Sequence, residues 1–158
     1  MATPTYTAIA TTTLASSASS VTFSSIDQSY GDLVLVFDGI TDTSGSFRFF
    51  FNSDTGTNYS YVRAFGNGST TGSDSATESG GRVSAGTLSN NSNVIIQIMD
   101  YTATDKHKSA LVRGNTTSVA MLAVRWADTS AITDIELDAD SSAVFQTGTT
   151  FSLFGIAK

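Results

Sequence analysis

Asp32–Asp38, DLVLVFD, is the stretch on which the fold turns. Leu33 to Phe37 is an uninterrupted apolar run rich in β-branched valine, entered through a Tyr30-Gly31 turn and bounded by aspartates. A short continuous run of this kind predicts a strand in the centre of a sheet, buried on both faces. Working outward, Thr5–Leu14 alternates Tyr6, Ala8 and Ala10 against Thr5, Thr7 and Thr11, with Pro4 at its start, where a missing N–H is tolerated. Val21–Ser24 is a short strand before a turn at Asp27–Gly31. Ser46–Asn52 sets Phe47, Phe49 and Phe51 on one face and Arg48 and Phe50 on the other.

After a turn at Asn52–Asn58, Tyr59–Phe65 predicts a further strand, and Gly66–Gly81 reads as a long polar loop rich in Gly, Ser, Thr, Asp and Asn. Strands resume at Arg82–Leu88, Val94–Tyr101, Lys106–Arg113, Ser118–Trp126, Ile132–Asp138 and Thr150–Ile156. Ser118–Trp126 contains the good helix formers Ala, Met and Leu, but its short length and Val119, Val124 and Trp126 favour a strand. No capping box leads into an apolar stripe of helical period, and no repeat of 20–50 residues is present. The pattern predicts an all-β chain folded as one jelly-roll-like β-sandwich of about 10 short strands over residues 1–158. Residues 1–14 then form an edge strand or an assembly arm.

Composition narrows the function. Of 158 residues, 24 are Ser and 24 Thr, while Asp, Glu, Lys and Arg make up 14%, against about 25% in ordinary soluble domains. A surface with few long charged side chains loses little rotamer entropy when another protein covers it, which favours assembly. The net charge of −6 and only eight Lys and Arg argue against nucleic acid as a partner. No apolar run approaches the roughly 20 residues of a membrane-spanning helix, and MATPTYTA is not a secretory signal. These features place the chain in the cytoplasm until assembly. Cysteine is absent, which removes thiolate nucleophiles, Cys-ligated metals and disulfides.

The candidate chemistry is sparse. His107, the single histidine, lies between Lys106 and Lys108 with no G-x-S-x-G elbow anywhere, so it reads as a surface residue beside solvated lysines rather than part of a triad. Asp134, Glu136, Asp138 and Asp140 recur with period two, on one face of a strand whose other face carries Ile135, Leu137 and Ala139. Such carboxylates suit a hard cation, a glycosidase pair, a solvated outer face or the protection of a sheet edge. Tyr59, Tyr61 and Phe65, beside the long loop, either stack on sugars or pack the sandwich. The four N-x-[ST] matches, at Asn58, Asn67, Asn90 and Asn115, follow from Ser/Thr abundance. No cofactor-binding motif is present.

Ala10–Gly39 (ATTTLASSASSVTFSSIDQSYGDLVLVFDG), Phe49–Tyr61 (FFFNSDTGTNYSY), Phe65–Ser69 (FGNGS) and Phe151–Ile156 (FSLFGI), in this order, resemble small virion structural proteins of tailed bacteriophages, especially cyanophages. These motifs are structural and not chemical. The resemblance implies a non-enzymatic virion component, most specifically a capsid decoration or cement protein. Such a protein is made in the host cytoplasm, binds the major capsid protein at the capsid surface as a homo-oligomer and stabilises the shell. A trimer is natural by analogy, but the sequence does not choose it over a dimer or hexamer. The alternative is a tail-fibre or appendage head that binds a host glycan through the Gly66–Gly81 loop and its tyrosines. A glycan hydrolase working through the carboxylates ranks third.

Overall fold

The computed structural model of the chain describes residues 4–42, 46–83, 91–140 and 143–158. Within them the chain forms twelve strands: β1 (Tyr6–Thr13), β2 (Ser20–Phe23), β3 (Asp32–Gly39), β4 (Phe47–Phe51), β5 (Tyr59–Gly66), β6 (Thr71–Glu78), β7 (Gly81–Arg82), β8 (Ser92–Met99), β9 (Lys108–Asn115), β10 (Val119–Trp126), β11 (Ile135–Ala139) and β12 (Thr150–Ile156). They build two antiparallel sheets. The larger has eight strands in the order β1-β12-β3-β8-β9-β10-β5-β6, and the smaller four in the order β2-β11-β4-β7. The result is the all-β, jelly-roll-like sandwich that the alternation predicts, with two more strands than the ten expected.

The inward faces meet in one core. Along β4 the residues alternate as expected, with Phe47, Phe49 and Phe51 buried and Arg48 and Phe50 partly exposed. Phe37 of β3 and Phe151 of β12, from the large sheet, meet Phe47 of the small sheet and Phe145, with ring centroids 4.7 to 5.9 Å apart. A second aromatic group joins Phe49, Phe51, Tyr59 and Trp126, where the indole and the phenol ring of Tyr59 stack at 6.4 Å. Its polar tips are satisfied: Tyr59 Oη accepts the Phe51 N–H at 2.9 Å, and Trp126 Nε1–H donates to Asp54 Oδ2 at 2.7 Å. Buried tyrosine and tryptophan need such partners. Gly155 of β12 has a steric reason to be glycine, since a Cβ there would lie 2.3 Å from the Tyr30 ring.

Two of three expectations are corrected, and the strand expected at Arg82–Leu88 lies mostly outside the described residues. Residues 66–81 are not a loop: a short turn at Asn67–Thr70 leads into β6, which pairs with β5 along its full length from Thr71↔Gly66 to Glu78↔Tyr59. Its side chains are almost all exposed, so no apolar alternation marks it. What holds it is backbone pairing, a salt bridge between Arg63 and Asp74, and the Arg82–Glu78 pair at 2.7 Å. The strand expected at Arg82–Leu88 is represented by Gly81–Arg82 alone, because residues 84–90 lie outside the described residues. Third, β3 is an interior strand, but it is buried on one face only: Leu33, Leu35 and Phe37 point into the core, while Val34 and Val36 lie half-buried on the outer face.

Candidate functional site

The outer face of the eight-stranded sheet can be laid out from the strand registers. One cross-strand row runs Ala8, Phe154, Val34, Gln97, Leu111, Ala123, Val62, Ser75, from β1 to β6. The adjacent row runs Thr11, Ser152, Val36, Ile95, Arg113, Met121, Ala64, Ser73. Arg113 is the only charge in these two rows, and most of the other positions are aliphatic or aromatic. Among the described residues all six exposed large hydrophobics, Tyr6, Val62, Met99, Leu111, Val119 and Met121, belong to this one face, with Val62 64% and Met121 56% exposed. Singly scattered apolar residues on a surface need no explanation, whereas apolar residues gathered on one face are the arrangement that interaction sites use.

The face is not flat. Toward β5 and β6 it holds a shallow hollow of about 500 Å³, bordered by Ser60, Val62, Ser75, Thr77, Ser109 and Arg125. Arg125 donates from Nε and Nη2 to His107 Nδ1, at 3.1 and 2.8 Å. Because a guanidinium only donates, Nδ1 is the acceptor, so His107 anchors the guanidinium and lies on the surface as expected. Its neighbour Lys108 departs from expectation. The side chain is 1% exposed rather than solvated, and its Nζ donates to the carbonyls of Lys106 at 3.2 Å and Thr129 at 3.1 Å. Burial lowers its pKa, against the pull of Asp128 and Asp105.

The smaller sheet presents the opposite character. Glu136 and Asp138 lie on the outer face of β11 while Ile135, Leu137 and Ala139 are buried, as the period-two spacing requires. Across the register Glu136 stands between Thr22 and Phe50, and Asp138 between Ser20 and Arg48. Because β11 is flanked on both sides by β2 and β4, the carboxylates do not protect an edge. Asp134 precedes the strand, where its Oδ2 accepts the Thr133 hydroxyl at 2.7 Å. Asp140 follows the strand and pairs with Arg48 at 3.4 Å. Among the described residues no group of three or more His, Asp or Glu is arranged to hold a metal ion.

Burial and the charge of Asp140 raise the Asp138 pKa, opposed by Arg48. A carboxyl whose pKa is higher in the folded than in the unfolded chain opposes folding while it is charged, and that cost fades as pH falls through the folded value toward 3.8. Asp138→Asn is therefore expected to be neutral to stabilising at pH 7, by no more than ~0.5 kcal/mol for so accessible a site. The difference should vanish below pH 3.8. Thermal melts of both proteins across that range check it, and a clear loss of stability at pH 7 would show that the carboxylate has a partner worth more than its desolvation.

The aromatic candidates separate. Tyr59 is 1% exposed, and burial raises its pKa far above the ordinary phenol value. Tyr61 is buried too, beneath the guanidinium of Arg82 at 5.6 Å. Phe65, partly buried, lies 4.8 Å under the Arg63 guanidinium and covers Gly72 of β6. These three therefore offer no stacking platform for a sugar: their odd spacing along β5 turns them to the core side, away from Ser60, Val62 and Ala64. Sequence reasoning missed the apolar rows of the outer face, although the alternation of Val119, Met121, Ala123 and Arg125 along β10 carried the signal.

No family model matches the chain. No curated protein sequence matches it either. Among solved structures it is similar to a double mutant of an alginate lyase in complex with alginate trisaccharide, at 12% identity over 87% of this chain and 80% of that one, with a TM-score of 0.32. A second alginate lyase mutant, in complex with alginate tetrasaccharide, is similar at 10% identity over 87% and 79%, with a TM-score of 0.30. Both similarities are too low to inform the reading of the site.

Proposed function

We propose that this chain is a non-enzymatic virion structural protein that works by assembly, in the specific role of a capsid decoration protein on the major capsid protein of a tailed bacteriophage. The observation that carries the assembly reading is the apolar outer face of the eight-stranded sheet, which holds all six exposed large hydrophobics. The virion setting rests on the sequence resemblance. A protein that binds the assembled shell better than the free subunits stabilises the shell by mass action. Burial of apolar surface on this face drives the self-association through which the chain assembles, so the oligomer that binds the shell should survive salt of several hundred millimolar, where the screening length falls below about 8 Å and surface charges lose their pull.

The test is to mix the purified protein with capsids of its own phage that lack it. Binding should saturate at a fixed stoichiometry and raise the resistance of the capsids to heat. A second reading, an appendage head that binds a host glycan, is favoured by the hollow beside Arg125, whose border carries the hydroxyls of Ser60, Ser75, Thr77 and Ser109. Sedimentation with tails alone, or binding to host cells that Arg125→Ala abolishes while capsids stay untouched, would select that reading instead.

A further inference from the structure

We infer that the outer face of the eight-stranded sheet is covered by a second copy of this chain, in a pair whose two-fold axis lies in the interface, parallel to the strands, between β8 and β9. The inference rests on the assembly reading of that face and names its occupant.

Charge is the first argument. The chain carries a net charge of −6, yet the outward strand residues of this face carry two aspartates, Asp32 and Asp38, and two arginines, Arg113 and Arg125. The face is neutral on an acidic molecule, so two copies can meet here without stacking like charges.

Two of those charges, Asp32 and Arg125, favour one orientation, in which Asp38 comes opposite Val119 and Arg113 opposite Ile95. Such an axis lays β8 over β9, β3 over β10, β12 over β5 and β1 over β6, because the strand order is symmetric about its centre. Ser109 pairs with both Met99 and Arg125, and Asp32 lies one residue beyond the Leu33↔Ile98 pair, so Asp32 and Arg125 share a cross-strand row. The two-fold therefore sets Asp32 of each copy opposite Arg125 of the other. In the two apolar rows it sets Phe154 opposite Val62, Val34 opposite Ala123 and Val36 opposite Met121. The aromatic Tyr6, in the row of Ile156, comes over Ser60 and Thr77 at the hollow. An axis perpendicular to the strands would lay β3 on β3 and bring Asp32 toward Asp38, acid on acid.

Area is the second argument. Eight strands of about eight residues, at ~4.8 Å between strands and ~3.3 Å per residue, present a face of roughly 1,000 Å². Sheet twist prevents contact over the full width, but two thirds of it in each copy gives roughly 1,300 Å² in total, within the range of stable specific interfaces. The pair leaves the polar outer faces of both small sheets pointing away from the contact.

Sedimentation of the purified full chain across micromolar concentrations tests the inference without any particle, and so separately from the decoration role. The wild-type protein should form dimers. Val62→Asp with Met121→Asp should abolish them, with the circular dichroism spectrum and melting temperature kept. Asp32→Arg alone and Arg125→Asp alone should each raise the dimer dissociation constant tenfold or more, on the order expected for like charges brought face to face. An equimolar mixture of these two single variants should return to wild-type affinity, because a mixed pair restores both opposite-charge contacts. A wild-type protein that stays monomeric throughout, an oligomer insensitive to the Val62 and Met121 changes, or a mixture that fails to recover would each overturn the pairing. If a charge variant does not fold, the Val62 and Met121 result decides. Dimers that ignore capsids would instead count against the decoration role alone.

Discussion

Phe37→Ala is expected to cost about 3–5 kcal/mol, the usual range for emptying a buried phenylalanine site. Phe37 is fully buried, and its ring lies 4.7 Å from Phe47, 5.4 Å from Phe151 and 5.9 Å from Phe145. It is thus the point where the large sheet, the small sheet and the 143–149 connection share one aromatic cluster. Those rings are fixed on β4, β12 and the 143–149 connection and cannot collapse together into the void. With total stabilities of about 5–15 kcal/mol typical of a domain, the loss is a large fraction of the whole. For a chain of this length it corresponds to a fall in melting temperature of roughly 6–20 °C. Phe37→Leu, which keeps most of the volume, should lose clearly less. Calorimetry on the two variants measures both, and equal small losses would mean that the two sheets are not joined through this cluster.

The second large effect concerns the edge strand β6. Arg63 is 8% exposed and forms a salt bridge with Asp74, whose side chain is 42% exposed. Removing one partner of such a pair is asymmetric: a lone aspartate at the exposed edge is hydrated, whereas the guanidinium packed against Phe65 and Tyr61 loses its two bonds to the carboxylate. Asp74→Ala should therefore destabilise the chain by about 2 kcal/mol, and Arg63→Met, which also removes the buried charge, by less. Amide exchange across Thr71–Glu78 should accelerate strongly in the aspartate variant, since among the described residues β6 is paired on one side only. An unchanged exchange rate there would show that backbone pairing alone holds the strand.

β6 also shows where the sequence stops being informative. Phe47, Phe49 and Phe51, or Ile135, Leu137 and Ala139, announce their strands because one face must be buried and the period of two follows. Thr71–Glu78 buries almost nothing, so composition made it a loop; its pairing with β5 makes it a strand, and the Arg63–Asp74 and Arg82–Glu78 pairs help to hold it. The period-two carboxylates were legible as an outward face, but strand order was not, and so their place between β2 and β4 was hidden. Lys108 could not be read either, because a lysine in a polar cluster gives no sign that backbone carbonyls wait for its ammonium inside.

The continuous run Leu33–Phe37 is the most instructive difference. Its composition is that of a strand covered on both faces, and the single chain covers one. The sequence describes an environment that a lone molecule does not supply: Val34 and Val36 lie in the same rows as Phe154, Ile95, Leu111 and Met121. The assembled state proposed for this chain would supply it.

That claim has a direct chemical readout in two of the three methionines, Met99 and Met121, which are 48% and 56% exposed on the outer face of the large sheet. Their oxidation rates should be measured in dilute free protein and in the assembled state, by peroxide treatment and peptide mass analysis. Strong protection of both thioethers on assembly is the result expected if this face is the one that becomes buried. Oxidation at the same rate in the free and assembled protein would contradict it.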